Sequence, residues 1–317
     1  MIYTDTIKKT IVEMQSKGMS SRAIAKVLGI SKSGINDFLT RLREGKSDDV
    51  TSIDAVYRPK ILIYDIETAP SMSYHWRRWK ENIGQSQVIR EGYMLCWSAK
   101  WLGDDNVAFD SIQQNPGKDH EDDSKILMSL VEMMKEADII VAHNNKRFDL
   151  PTVQAYMVRQ GMEPLPPMKV VDTLLIAKKN FRFPSNSLDA LGQYLGCGQK
   201  LQHTGFDLWK RCMANDSEAW DTMTSYNIQD VNLLEEVYMK LRPWDKQHPN
   251  LSLYYPNGVM RCPCCASKNI EMTDKLAYTS VSAFETYQCQ DCGKYSRTRA
   301  NLKTKEQRAN VLSNVAD

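Results

Sequence analysis

Asp65-Ile66-Glu67 closes a run of apolar residues, Ile61, Leu62, Ile63 and Tyr64, that reads as a buried central strand. The two-residue period of a strand turns both carboxylates toward one face and the same volume. Asp-x-Glu recurs at Asp119–Glu121 and Asp216–Glu218, at apparent helix starts where acids favour the helix dipole. Only the first copy follows a buried strand. A second acid, Asp149, comes after Ile139-Ile140-Val141-Ala142 and opens a helix with Pro151 in its first turn. Tyr226 and Asp230 stand four residues apart, neighbours on one face of a helix. Taken singly, Asp149 reads as a helix cap, Tyr226 as a core tyrosine and Asp230 as a surface acid.

The cysteines imply different chemistry. Five of the eight lie between Cys262 and Cys292. Disulfide scaffolds are short and secreted, so clustering in a chain of this kind favours metal. Cys262-Pro263-Cys264-Cys265 and Cys289-Gln290-Asp291-Cys292 flank a β-rich insert, Ala277–Gln288, and together resemble a zinc ribbon. Four thiolates hold one Zn²⁺ as a closed tetrahedron, which makes the site structural. Cys262, Cys265, Cys289 and Cys292 are the assigned ligands, with Cys264 spare and able to exchange with its neighbour. After them, Lys294, Tyr295, Arg297 and Arg299 form a basic strand suited to nucleic acid or to a replication protein such as a polymerase.

The elements that position these groups are bounded by composition. The chain has 317 residues, 42% hydrophobic and 25% charged, which excludes global disorder and predicts two domains or one core with appendages. No apolar stretch nears the ~18 residues a membrane span needs, and the start lacks a signal-peptide pattern, so a soluble cytoplasmic protein is expected. The formal charge of +2 divides into +5 for residues 1–46, +3 for 258–317 and −6 between them. Basic ends suit phosphate, and an acidic centre suits cations.

Residues 1–46 read as helices. Ile7, Ile11, Met14 and Met19 make a stripe. Ser20 or Ser21 can cap a short helix, Gly29 supplies a turn, and Ser31 can cap the next helix. Ile24, Leu28, Ile30, Ile35 and Leu39 are spaced for a small shared core. The pattern resembles a helix-turn-helix over 20–44, with Ser31, Lys32, Ser33 and Asn36 facing the groove, although Gly34 interrupts the second helix. A three-helix bundle contacting protein is the alternative. Residues 47–58 read as a linker. Gly45-Lys46-Ser47 is not a P-loop, because position 40 is Thr and no strand precedes it.

The segment 59–244 alternates. Strands are expected at Lys60–Ile66, Tyr93–Trp101, Val107–Ile112, Asp138–His143 and Lys169–Val171. Helices are expected at Asp119–Ala137 and Leu150–Gly161, and over most of the remainder. Three meander strands followed by β-α-β units predict an α/β fold with a sheet of mixed direction. Residues 245–258 read as a second linker, 259–302 as the ribbon and 303–317 as a loose tail. Asp119–Asp123 reads as a solvated helix start, and Gly196-Cys197-Gly198 as a turn.

Asp-x-Glu on a strand, Asn144-x-x-x-Phe148-Asp149 after a later strand and Tyr226-x-x-x-Asp230 on a late helix occur in order. Together they resemble the tyrosine branch of the four-carboxylate (DEDD) 3′–5′ exonucleases, as in B-family DNA polymerases and stand-alone phage and bacterial relatives. Val171–Leu174 and Phe183–Leu191 look similar to segments of those domains as well. The resemblance implies a ribonuclease-H-like mixed sheet flanked by helices. It implies two Mg²⁺ or Mn²⁺ ions on Asp65, Glu67, Asp149 and Asp230, and a water or phosphate oriented by Tyr226. The expected activity is removal of 5′-mononucleotides from DNA 3′ ends, in a bacterial or phage-infected cell, with proofreading only in trans. Asp172 is read as a brace of the metal site or a helix cap, and His143 as a satisfied histidine. Asn144, Trp76 and Arg77 are candidate nucleic-acid contacts, the last two within the aromatic and cationic run Tyr74–Lys80. An RNA exonuclease, a DNA-binding regulator with an inert core and a transposase-like endonuclease are the competing readings.

Overall fold

The computed structural model describes residues 3–16, 19–43, 58–255 and 258–315. The chain forms two compact units, Lys60–Asp245 and a second made of Met1–Pro59 with Lys246–Asp317. The expected linker 47–58 lies, apart from Arg58, outside the described residues.

At the N-terminal end, α1 (Asp5–Ser16), α2 (Ser21–Leu28) and α3 (Lys32–Arg43) surround a core that includes Ile11, Ile24, Ile35 and Phe38. The punctuation is local. Ser20 Oγ accepts the Ala23 N–H at 3.3 Å, Gly29 ends α2 at φ 64°, and Ser31 Oγ accepts the Gly34 N–H at 3.1 Å. Gly34 has a packing reason: a Cβ there would stand 2.2 Å from the Tyr3 hydroxyl.

In the Lys60–Asp245 unit the strands are β1 (Ile61–Thr68), β2 (Met72–Ser73), β3 (Val88–Arg90), β4 (Met94–Trp101), β5 (Ala108–Ser111), β6 (Ile139–Ala142) and β7 (Lys169–Asp172). The main sheet runs β5-β4-β1-β6-β7, antiparallel through β5, β4 and β1 and parallel through β1, β6 and β7. This is the expected mixed α/β sheet, with β1 in the middle. β1 and β6 read as unbroken apolar runs because helices cover both faces of the sheet. β2 and β3 pair in a separate ribbon.

The helices are α4 (Ser124–Glu136), α5 (Asp149–Arg159), α6 (Thr173–Asn180), α7 (Leu188–Leu195), α8 (Phe206–Met213) and α9 (Ser217–Leu241). Ile126, Leu127, Leu130, Val131 and Met134 of α4 all face the core. One expectation there is corrected. The acidic run Asp119–Asp123 is not a solvated helix start, since α4 begins only at Ser124 and Asp123 is buried. The Asp123 carboxylate accepts from Arg159 Nη2 at 2.5 and 2.6 Å and from the Met94 N–H at 2.8 Å. Buried charge of this kind persists only when paired.

Helix α9 is tied to the sheet by Lys100 on β4, which pairs with Glu235 at 2.6 Å and donates to Asn232 Oδ1 at 3.1 Å. Gly192 lets α7 approach α9, because a Cβ there would lie 2.7 Å from the Leu233 side chain.

The cysteine segment forms a second antiparallel sheet, β10-β9-β8, from β8 (Ile270–Thr279), β9 (Ser282–Cys289) and β10 (Tyr295–Arg297). The tail expected to be loose carries one short helix, α10 (Lys305–Ala309), opened by a reciprocal Thr304–Gln307 cap.

Candidate active site

Asp65 and Glu67 sit near the end of β1 opposite Ser98 and Cys96 of β4. Directly opposed residues share a face of the sheet, so these small side chains leave room beside the carboxylates. The register shifts between Glu67 and Thr68, where β1 leaves the regular ladder. Above this face lies α9, with Tyr226, Asn227 and Asp230 all buried.

Asp65, Glu67 and Asp230 each place a carboxylate oxygen within 4.8 Å of the others. Asp149 is not part of that group, although its charge acts on both Asp65 and Glu67. It occupies the first turn of α5, and a web of hydrogen bonds holds the preceding loop. Asp172 accepts from the N–H groups of Asn144, Lys146, Leu174 and Leu175 at 3.0–3.2 Å, so it caps α6 and ties down the loop ahead of Asp149. Asn145 accepts from the Tyr64 hydroxyl at 2.6 Å and donates to the Val171 carbonyl at 3.3 Å. Both ring nitrogens of His143 are satisfied, by Thr173 Oγ1 and the Asn186 carbonyl. Asn144 itself stands at φ 71°.

Gathering acids in a dry place is costly, and their proton affinities show it. Burial, followed by the charges of Glu67, Asp149 and Asp230, raises Asp65 well above the carboxylate range. Burial likewise pushes Glu67 up to about 8, with Asp230 adding to it, and Asp149 up to about 7. Neither oxygen of Asp149 nor Asp230 Oδ1 has a hydrogen-bond partner of ordinary geometry among the described residues. For Asp149, its own N–H and that of Ile66, with the charge of Lys200, pull the pKa partway back.

Several residues not singled out from sequence complete the site. Lys200 donates to the Tyr226 hydroxyl at 2.9 Å and to Asp230 Oδ2. Burial works against its charge, but Asp230 and Tyr226 outweigh that and raise its pKa. Asn227 donates to Asp65 Oδ2 at 2.7 Å, and the Trp209 side chain hydrogen-bonds Glu67. The His203 ring meets that of Tyr226 edge-on at 4.8 Å. An open, mainly apolar cleft lined by Thr68, Pro70, His203, Gly205, Phe206 and Trp209 lies beside these groups. Asn227 was findable as a polar residue within the buried stripe of α9. Lys200 had no such signal, since it lies in an irregular stretch without periodicity.

The second donor set is the cysteine group. The sulfurs of Cys262, Cys265, Cys289 and Cys292 all lie within 4.8 Å of one another, with Cys262–Cys292 at 3.6 Å and Cys265–Cys289 at 3.5 Å. The two knuckles match. The N–H groups of Ala266 and Gly293 return to the carbonyls of Cys262 and Cys289, and both residues have positive φ. Cys264 is buried outside the quartet, its N–H directed at Cys262 Sγ.

The nucleic-acid candidates fall on surfaces. Ser31, Lys32, Ser33 and Asn36 are exposed at the start of α3, with Ser31 also serving as its cap. Arg297 and Arg299 are exposed, and the Arg297 guanidinium lies 3.9 Å over the Phe284 ring. Lys294 is partly buried.

Residues 93–242 match the RNase_H_2 family model, described as RNase_H superfamily; β1 and its two acids precede the matched stretch. No curated protein matches the sequence. Among solved structures, "Crystal structure of the Mos1 Strand Transfer Complex" is 10% identical, covers 75% of this chain and 77% of that one, and has a TM-score of 0.17. "Crystal structure of the Mos1 mariner paired end complex with Mn" is also 10% identical, covers 75% and 78%, and has a TM-score of 0.16. Scores this low carry no argument. No helix among the described residues is long and apolar enough to cross a membrane. Over residues 93–242, then, the chain is similar to domains of the RNase H superfamily, a likeness that suggests metal-dependent nuclease or polynucleotidyl-transferase chemistry.

Proposed function

We propose that this protein is a metal-dependent 3′–5′ exonuclease that releases 5′-mononucleotides from DNA. The observation that carries the reading is the convergence of Asp65, Glu67 and Asp230 within 4.8 Å, with Tyr226 one helical turn from Asp230. The donor set fits divalent cations. Hard carboxylate oxygens are the ligands Mg²⁺ and Mn²⁺ prefer, and among the described residues the Asp149 oxygens and Asp230 Oδ1 are buried without a hydrogen-bond partner of ordinary geometry. Asp65, Glu67, Asp149 and Asp230 would hold the ions. When bound, such ions make a water acidic enough to attack phosphorus near neutral pH and offset charge on the departing 3′ oxygen.

The protein's own groups prepare the substrate. Tyr226, whose pKa burial raises above its ordinary value, stays protonated and acts as a hydrogen-bond donor to phosphate or water rather than as a base. Lys200 stays charged, holds Tyr226 and Asp230, and adds positive charge where a phosphate arrives. The cleft between Thr68 and Phe206 receives the terminal nucleoside, and its apolar lining excludes water. The helices of residues 1–46 and the Cys262–Cys292 module, the latter folded around one structural Zn²⁺, position the enzyme on DNA. A DNA polymerase or replication protein is a further partner.

Digestion of end-labelled single and double strands with Mg²⁺ tests this. A ladder shortening from the 3′ end is expected, lost with EDTA or in Asp65→Ala. Full activity in that variant, or specific duplex binding without digestion, overturns the reading, and the latter favours a regulator. Preference for RNA over DNA of equal length transfers the reading to an RNA exonuclease on the same fold.

A further inference from the structure

Beyond the acids, the β2–β3 ribbon presents an unusual surface. Trp76 is 94% exposed, Trp79 80% and Tyr74 76%, with Arg77, Arg78 and Lys80 exposed among them. Large aromatic side chains that give up burial on this scale mark a binding surface more often than a solvent-facing one.

The loop is nonetheless ordered. Tyr74 and Gln87 bridge its base, the Tyr74 N–H donating to the Gln87 carbonyl at 2.9 Å and Gln87 Nε2 to the Tyr74 carbonyl at 3.1 Å. Glu81 is the single acid between Tyr74 and Arg90. Its carboxylate accepts the Trp76 N–H at 3.1 Å, the Arg77 N–H at 2.5 Å and Gln87 Nε2 at 3.1 Å. The local negative charge is therefore spent on holding the backbone, while Arg77, Arg78 and Lys80 have no ion-pair partner among the described residues. The loop also leaves the end of β1 that carries Glu67, by way of Pro70 in the cleft wall.

From this arrangement we infer that the Tyr74–Lys80 loop is a stacking platform for unpaired DNA. Bases lie on Trp76 and Trp79 while Arg77, Arg78 and Lys80 meet the phosphates. Flat aromatic faces interleaved with cations recognise an unstacked strand, since bases in a duplex have no free face to offer. The inference rests on the exonuclease reading only for which strand is held, the one whose 3′ end is at the acids.

The test is fluorescence anisotropy with the full chain, without added Mg²⁺, using a labelled 20-nucleotide oligo-dT and a blunt hairpin duplex. The double variant Trp76→Ala/Trp79→Ala is expected to bind oligo-dT at least about tenfold more weakly, with duplex binding little changed. The triple variant Arg77→Ala/Arg78→Ala/Lys80→Ala should also lower the salt dependence of oligo-dT binding by about two counterions. Glu81→Ala removes no aromatic or cation, and its weaker binding would report the positioning of the loop. Unchanged oligo-dT affinity in both loop variants overturns the proposal and leaves a protein as the occupant. An equal loss on the duplex overturns the single-strand assignment. Release of mononucleotides by the unaltered protein with Mg²⁺ is measured in parallel. Digestion without loop dependence sinks the platform alone, and loop-dependent binding without digestion sinks the exonuclease alone.

Discussion

The two candidate metal sites are built on opposite plans. The cysteine quartet draws its ligands from Cys262 to Cys292, two short knuckles around small strands. The acids come from Asp65, Glu67, Asp149 and Asp230, residues that only a five-stranded sheet and a 25-residue helix bring near one another. The difference teaches where the folding free energy comes from. A ribbon this small has little apolar core among its described residues beyond the cysteines and Ile270, so on the proposed reading it would fold on its ion, whereas the sheet domain stands on burial and carries its acids as a strain.

Chelation sharpens that contrast most. Removing zinc and then restoring Mg²⁺ should cost the ribbon about 10 kcal/mol of metal-binding free energy and abolish amide-exchange protection over β8–β10. Protection of β1, β4 and α9 should persist; a ribbon still protected without its ion breaks the comparison. Next in size is Asp65→Asn, expected to reduce 3′-end hydrolysis by about a thousandfold, the loss of several kcal/mol of cation-borne stabilisation. The same change should raise the Tm of the metal-free protein by removing the cost of burying an acid whose proton affinity the site has raised, and a lowered Tm denies that the acids are a strain.

His143 gives a pH signature. Burial lowers its pKa to about 4, so the folded chain refuses a proton that the unfolded chain accepts below about 6.5. Its contribution is fully present above that pH and lost as pH falls toward 4, up to about 3 kcal/mol. Glu67 and Asp149 act in the opposite sense in the metal-free protein. Raised to about 8 and about 7, they hold protons in the folded state and add stability as pH falls through those values. Denaturation of wild type and His143→Gln between pH 7 and 4.5 isolates the histidine; parallel curves refute its role. The smallest effect is Tyr226→Phe, expected to lower kcat about a hundredfold with KM little altered, as for one transition-state donor. A larger KM change than kcat change would make Tyr226 a substrate anchor instead.

Much of the frame was legible because it is local. Strand and helix periods reveal which face of a segment is apolar, and they indicated a central β1 with Asp65 and Glu67 on one face. They also indicated Tyr226 and Asp230 stacked on one helix and the paired knuckles of the ribbon. Caps behaved likewise, as Ser20, Gly29 and Ser31 act through neighbours a few residues away. The errors lie where partners are distant in sequence. Asp123 looked like a solvated acid until Arg159 was seen against it. Asp172 left two roles open because two of the four backbone donors it holds come from the 143–148 loop.

The amino-acid order by itself determined the mixed sheet, the placing of each acid on its element, and the two Cys-x-x-Cys knuckles, because these follow from backbone geometry within a few residues. Only the tertiary structure decided that Asp65, Glu67 and Asp230 share one volume with Asp149 set apart, that Lys200 bridges Tyr226 and Asp230, and that Glu81 accepts the N–H groups of Trp76 and Arg77. The physical reason is that charge, desolvation and packing act through space. Their partners are chosen by how elements pack, and no local period records that choice.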